Sequence, residues 1–342
     1  MIKAQIEELK QLLHNPTKVV IVPHKNPDGD AMGSTLALYH YLRKYNHDAR
    51  VIAPNDYPEF LKWLPGDNLV LIHENTPEES EALIKEATLI FTLDFNVLNR
   101  SGEMTEALEN SSATKIMIDH HQQPDDYAKY TYSDVNMSST CEMVYNFIEF
   151  LGDLDKIDAD IATCLYTGIM TDTGSFRFPS TTQRTHEIVG NLIEKGANNA
   201  QIHNNVYDTN SYNRLQLLGR AMQNLKVIPE LHTAYIWLSQ ADLNEFNFKK
   251  GDTEGFVNYG LSLKDIVFAA IFIENEQEGI VKVSLRSKGS FSVNQFSRAH
   301  FNGGGHDNAA GGRSDESLHE TIDKFISILP QYKEKLSQAL NG

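Results

Sequence analysis

Apolar residues in the first third of the chain fall into short unbroken runs, separated by stretches in which they recur at helical spacing. "TKVVIVPH" (17–24), "ARVIAP" (49–54), "NLVLIH" (68–73), "TLIFTLDF" (88–95) and "TKIMIDHH" (114–121) read as strands. "DAMGSTLALYHYLRKYN" (30–46) and "PEESEALIKEA" (77–87) read as helices. The first sets Leu36, Leu38 and Leu42 partly on one face, and the second opens with the acidic turn that a helix dipole favours. Strands alternating with helices at this spacing predict a parallel α/β sheet. Runs that are continuously apolar, rather than alternating, predict a sheet covered on both faces.

From Ser138 to about Asn224 the pattern is mainly helical. "STCEMVYNFIEFLG" ends on a glycine stop, "ADIATCLYTGIMTDTGSF" runs into a polar turn, and further helices are expected around 184–195, 198–208 and 211–224. Strand patterns return in "KVIP", "HTAYIWL", "IVFAAIFIEN" and "IVKVSLRS". A glycine-rich turn and a last helix, "ESLHETIDKFISIL", follow. The expected organisation is an N-terminal parallel-sheet domain over 1–190, a helical connector over 191–228 and a smaller α/β domain over 229–342.

Length and composition support this division. The 342 residues suffice for two domains with sizeable cores, and 41% apolar with 22% charged residues is ordinary for a soluble protein. Two cysteines support neither a disulfide framework nor a zinc knuckle and suit a reducing cytosol. The N-terminus lacks the apolar core of a signal peptide. The longest apolar run, "IVFAAIFI" (266–273), is too short to span a bilayer. A cytoplasmic protein without membrane contact is therefore expected. The net charge of −16 argues against a nonspecific binder of long duplex nucleic acid, but leaves room for a small phosphorylated substrate at a locally cationic site.

Four segments carry candidate metal ligands where a parallel sheet presents its functional groups, at or just past the carboxyl ends of strands. "PHKNPDGDAMGS" contributes His24, Asp28 and Asp30; "TLDFN" contributes Asp94; "IMIDHH" contributes Asp119, His120 and His121; "GIMTDTGSF" contributes Asp172. Taken singly, each has a plainer role. Asp30 serves as well to cap its helix, Asp94 as a turn residue, His24 as a satisfied core histidine and Asp172 as an Asx-turn residue before Gly174. The conjunction on one sheet edge carries the argument. Carboxylates crowded together must be protonated or neutralised by cations. Asp28, Asp30, Asp94 and Asp172 bring four negative charges, which two divalent ions would balance. Imidazole and carboxylate without thiolate suit manganese first, then magnesium or cobalt. In "FNGGGHDNAAGG" (301–312), glycines before a histidine would let backbone N–H groups approach an anion, although glycines alone fit a flexible hairpin equally. Arg286 ends a strand, placed for bidentate phosphate contact or simply solvated.

Together these motifs resemble the DHH phosphoesterase superfamily. "PHKNPDGDAMGS", "LDFN", "DHH" and "TDTGSF" look like its successive motifs, and "GGGHDNAAGG" looks like the signature of the C-terminal domain in its RecJ-like branch. The size is similar to the nanoRNase/pAp phosphatase group. The resemblance implies a cleft between the two domains. It implies one manganese held by His24, Asp28 and Asp94, and another by Asp30, Asp94, His120 and Asp172. Asp94 would bridge, and Asp172 could touch the first ion too. His121 would face the substrate phosphate or assist proton transfer, and Asp119 would orient its neighbours. Arg286, His306 and the backbone of Gly303, Gly304 and Gly305 would grip the substrate, which requires Asp307 to point away.

The implied activity is hydrolysis of very short RNA to mononucleotides and removal of the 3′-phosphate of adenosine 3′,5′-bisphosphate (pAp). Action on pApA or cyclic di-AMP is the close alternative; a RecJ-type DNA exonuclease and a pyrophosphatase rank lower. A non-catalytic nucleotide-binding regulator would be expected to lack a metal ligand, and every motif position is filled. Homodimerisation is expected only from general frequency.

Overall fold

The apolar runs of the first half pair side by side, all in one direction. The computed structural model describes residues 3–341. Helix α1 (Lys3–Leu13) leads into β1 (Lys18–Val22), α2 (Gly29–Arg43), β2 (Asp48–Ala53), β3 (Leu71–Ile72), α3 (Pro77–Glu86), β4 (Leu89–Leu93), α4 (Thr105–Asn110), β5 (Thr114–Asp119) and β6 (Tyr130–Ser133). The strand order is β3-β2-β1-β4-β5-β6, every pair parallel. Strand β6 has no counterpart in the apolar pattern: "YTYS" is short and half polar, and only Tyr130 and Tyr132 are buried.

Both sheet faces are covered, which is why its strands show no alternation. Val19 and Ile21 of β1, with Phe91, Ile116 and Ile118, face a core shared with α2 and with α5 (Thr140–Leu151) and α6 (Ala159–Asp172). Val20 and Val22, with Ile52 and Ile90, face Ile84 of α3 and Leu108 of α4. The order reverses between β1 and β4, so the crossovers leave those two strands in opposite senses. A crevice opens at their carboxyl ends. Helices α7 (Gln183–Glu194) and α8 (Asn199–Tyr207) complete this unit, which spans Met1–Thr209.

A histidine fastens α1 to this sheet. Buried His47 accepts the Thr17 N–H at Nδ1 (3.1 Å), so its Nε2–H donates to the Leu13 carbonyl (3.1 Å). Burial, opposed by the hydrogen bond to the Leu13 carbonyl, holds its pKa below the ordinary 6.5. The unfolded chain therefore takes up this proton first on acidification. The contribution is complete above about pH 6.5 and is lost as pH falls below it. Thermal melts between about pH 7.5 and 5.5 should show a steeper loss of stability for the parent than for His47→Asn. Parallel profiles would contradict this role.

The second unit, Asn210–Gly342, is built around a mixed sheet. It contains α9 (Tyr212–Asn224), β7 (Lys226–Ile228), β8 (Thr233–Leu238), α10 (Gln240–Glu245), α11 (Phe256–Leu261), β9 (Phe268–Asn275) and β10 (Ile280–Ser287). Then come α12 (Val293–His300), β11 (Gly304–Gly305), β12 (Ala309–Ser314), α13 (Leu318–Ile328) and α14 (Lys333–Asn341). The order is β11-β12-β10-β9-β8-β7, antiparallel except between β8 and β9. Half of the glycine-rich segment expected as a turn is thus strand, in β11 and the start of β12. The boundary between units lies inside the stretch expected as a connector.

Strand β9 alternates between two cores. Phe268, Ala270 and Phe272 face α12, α13 and α14, while Ala269 and Ile271 face α9, α10 and α11. Phe268 is fully buried, with the rings of Phe291, Phe296 and Phe325 centred 5.0, 5.1 and 5.5 Å away. Phe268→Ala should cost about 3–5 kcal/mol of stability, read from denaturation midpoints; an unmoved midpoint would refute this packing. No helix among the described residues is long and apolar enough to cross a membrane.

Candidate metal centre

The crevice beside β1 and β4 collects ionisable groups from five elements. His24 follows β1, Asp28 and Asp30 sit at the start of α2, Asp94 follows β4, Asp119 ends β5 with His120 and His121 just beyond, and Asp172 closes α6. His24, Asp30, Asp94, Asp119, His120 and His121 are buried.

Asp94 lies at the middle. Its backbone adopts φ +66°, a conformation uncommon outside glycine, directly after the apolar strand. One carboxylate oxygen, Oδ2, lies 3.4 Å from His24 Nε2; the other, Oδ1, lies 3.5 Å from His120 Nε2 and 3.6 Å from His121 Nδ1. His24 Nε2 also lies 3.9 Å from Asp28 Oδ2. His120 Nε2 lies 3.8 Å from Asp30 Oδ2 and 3.5 Å from Asp172 Oδ2. The donor atoms of His24, Asp28 and Asp94 fall within 4.8 Å of one another, as do those of Asp30, His120 and Asp172, and those of Asp94, Asp119 and His121.

The tautomers are set by backbone. His24 Nδ1 faces the Lys25 carbonyl at 2.9 Å and His120 Nδ1 faces the Met137 carbonyl at 3.1 Å. A carbonyl only accepts, so both Nδ1 atoms carry hydrogen and both Nε2 lone pairs turn to carboxylates. An acceptor facing acceptors requires a cation between them, either a proton or a metal ion. Ligand bonds of about 2.0–2.2 Å place donor atoms roughly 3–3.5 Å apart, close to the spacing observed. This donor set of imidazole and carboxylate fits a divalent cation of the manganese or magnesium type.

The pKa shifts express the same crowding. Burial, with the charges of Asp94 and Asp172, drives Asp30 well above the usual carboxylate range. Burial also opposes the charge on Asp94, yet hydrogen bonds from His120 and His24 hold it well below. Against burial, Asp94 raises both of those imidazoles, His120 strongly. His121 differs: burial keeps it well below 6.5 and therefore neutral. Asp119, pushed up to about 6 chiefly by burial and the Asp94 charge, accepts from His121 Nδ1 at 2.7 Å and from its backbone N–H at 3.0 Å.

Local structure explains each placement. Asp28, not Asp30, caps α2: its Oδ1 accepts the N–H groups of Asp30 and Ala31, both at 3.0 Å. Asp30 instead turns to the start of α5, where it accepts from Thr140 N at 2.6 Å and Cys141 N at 2.8 Å. These are the dangling donors of a helix N-terminus, which favour negative charge. Thr140 also donates its hydroxyl to Asp94 Oδ1 at 2.9 Å. Two contributors escaped the sequence reading. Thr140 stands inside the segment "STCEMVYNFIEFLG" with nothing in the pattern to mark it. Arg100, six residues past Asp94, disfavours protonation of His24, Asp119 and His121. Its carbonyl accepts from Lys25 N at 2.7 Å, tying its turn to the segment after His24.

The second unit holds the remaining candidates. Arg286, on β10, donates from Nη1 to the Leu285 carbonyl at 3.0 Å. His306 sits in the connection between β11 and β12, its N–H donating to Ala309 O at 2.7 Å. Hairpin packing itself demands two of the glycines. A Cβ at Gly303 would lie 1.9 Å from Gly311 O, and one at Gly305 would lie 2.5 Å from Ala309 O. Only at Gly304 would it make ordinary contacts, with Arg298. Asp307 accepts a hydrogen bond from Ser292 at 2.7 Å, beside the start of α12.

Comparison with known proteins agrees with this architecture. Residues 18–169 match the DHH family N-terminal domain and residues 230–335 match the DHHA1 domain. The chain is 31% identical to the bifunctional oligoribonuclease and PAP phosphatase NrnA of Thermus thermophilus, covering 98% of this chain and 94% of that one. The chain belongs to the DHH family. A crystal structure of an exopolyphosphatase-related protein from Bacteroides fragilis superposes on this DHH protein with a TM-score of 0.94 at 40% identity, covering 98% of each chain. RecJ of Thermus thermophilus in complex with Mn2+ shares the fold, with a TM-score of 0.52 at 15% identity over 97% of this chain and 54% of that one.

Proposed function

We propose that this chain is a two-metal phosphoesterase that cuts very short RNA to mononucleotides and removes the 3′-phosphate of pAp. The observation carrying this reading is Asp94, whose two oxygens face two separate groups of imidazole and carboxylate. The NrnA relative, named for both activities and matched nearly end to end, supports the substrate class. His24, Asp28 and Asp94 would hold one divalent ion, and Asp30, Asp94, His120 and Asp172 the other, manganese before magnesium or cobalt. Such a pair supplies positive charge that makes water nucleophilic near neutral pH and steadies the oxygens around phosphorus.

The protein's own groups do the rest. Asp119 holds His121 in the Nδ1–H tautomer, so its Nε2 can exchange a proton with a phosphate oxygen or leaving group. Asp30 is kept oriented by two backbone donors of α5. Arg286, His306 and the backbone of Gly303, Gly304 and Gly305 form the proposed substrate-binding set. The same reading includes a cytoplasmic location, no membrane or long duplex partner, and a homodimer.

Purified protein in manganese buffer would be given pAp, di- to pentaribonucleotides, pApA, cyclic di-AMP, pyrophosphate and inorganic polyphosphate, and initial rates compared. Fast turnover of pAp and of the shortest RNAs is expected. Preference for cyclic di-AMP or for polyphosphate would replace the reading with another phosphoesterase. Tight nucleotide binding without product would make the chain a regulator.

A further inference from the structure

The loop after Asp172 carries backbone features that metal binding does not use. Gly174, Ser175 and Phe176 follow one another with φ of +56°, +61° and +67°. A left-handed serine is uncommon, and a left-handed phenylalanine is a genuine outlier. The conformation is locked. Ser175 N donates to Met170 O at 2.8 Å and Phe176 N to Thr173 Oγ1 at 3.0 Å. The Phe176 ring packs between Tyr166 and His186, 5.8 and 5.9 Å away between centroids. Strained backbone held this firmly is commonly found where a side chain must be aimed at a ligand.

Arg177 and Phe178 are what it aims. The Phe178 ring lies against Gly174, two residues past Asp172; a Cβ there would come within 2.5 Å of its Cζ. Phe178 nevertheless remains 36% exposed. The Arg177 guanidinium stands 5.5 Å from the ring centroid and makes no ion pair among the described residues. An exposed ring backed by Gly174, with a guanidinium over it that makes no ion pair among the described residues, matches what an unpaired nucleobase needs: the base stacks on the ring and its phosphate draws the guanidinium.

We propose that Phe178, flanked by Arg177, is the stacking platform for a base of the substrate and so determines specificity for nucleotides over base-free phosphoesters. The inference rests on the phosphoesterase reading and deepens it. Phe178→Ala, Phe178→Tyr and the parent would be compared on a diribonucleotide and on the same compound with one or both bases removed. Phe178→Ala should raise KM for the intact dinucleotide about tenfold, the worth of one stacked base, with kcat nearly unchanged. Phe178→Tyr should restore it, and the fully abasic compound should not distinguish the three proteins. A KM within twofold of the parent, or an equal rise on the fully abasic compound, would overturn the platform. Calorimetric binding of a phosphorothioate-linked dinucleotide separates the two readings. Binding weakened by Phe178→Ala in a protein that turns nothing over would uphold the platform and remove the hydrolase. A hydrolase whose binding ignores position 178 would do the reverse.

Discussion

Asp94→Asn is expected to leave a folded protein whose phosphoester hydrolysis falls about a thousandfold. Asparagine tolerates the φ of +66° at this position, and its amide oxygen can still accept from Thr140. The backbone therefore has little reason to move. Chemically the change is severe. The carboxylate offers one oxygen toward His24 and the other toward His120, so one side chain serves both clusters. Asparagine has a single oxygen, an N–H donor aimed where a cation is needed, and no charge. Rates on pAp and a dinucleotide, with a melting curve to verify folding, measure the effect. Parent-like turnover in Asp94→Asn would remove the dinuclear assignment altogether.

Stripping divalent metal with a chelator should abolish turnover and lower the melting temperature by about 5–10 °C relative to protein with manganese at a hundred times its dissociation constant. Asp30 is buried against like charge and is driven upward in pKa, while His24 and His120 turn lone pairs toward carboxylates. Without metal, protons must fill those gaps, and they do so less completely as pH rises. A ligand that binds only the folded state stabilises it by mass action, about 2.7 kcal/mol at that excess. Calorimetry before and after manganese is restored measures the shift. Melting temperature and activity both indifferent to the chelator would show that protons alone settle these charges.

Much of this was legible along the chain, and the reasons are local. A strand covered on both faces must be apolar throughout, so "KVVIV" and "LIFTL" announced themselves. Carboxylate and imidazole immediately past such a run are costly to bury without partners, which marks His24, Asp94 and Asp119–His121 in the sequence itself. Asp28 and Asp30 were harder to separate, because both stand at a helix start. Which one caps depends on where α5 ends up, and its free N–H groups claim Asp30. Thr140 and Arg100 carry no signature, since their relation to Asp94 and His24 arises only when distant segments meet. The glycines of 303–305 carry two readings that sequence cannot separate. Anion access and close hairpin packing demand the same residue, and only the built hairpin shows two of them crowded by backbone.

By itself, then, the order of residues determined a parallel α/β unit, a second sheet-bearing unit and which ionisable groups stand at the carboxyl edge of the first sheet. Hydrophobic periodicity and the expense of burying charge act residue by residue and need no partner. Tertiary structure alone decided which oxygen of Asp94 faces which imidazole, that the Met137 carbonyl holds the His120 tautomer, and that Asp30 meets the N–H groups of α5. Those are distances between atoms far apart in the chain, and they come into being only when the strand order reverses at β1 and β4 and brings the loops together.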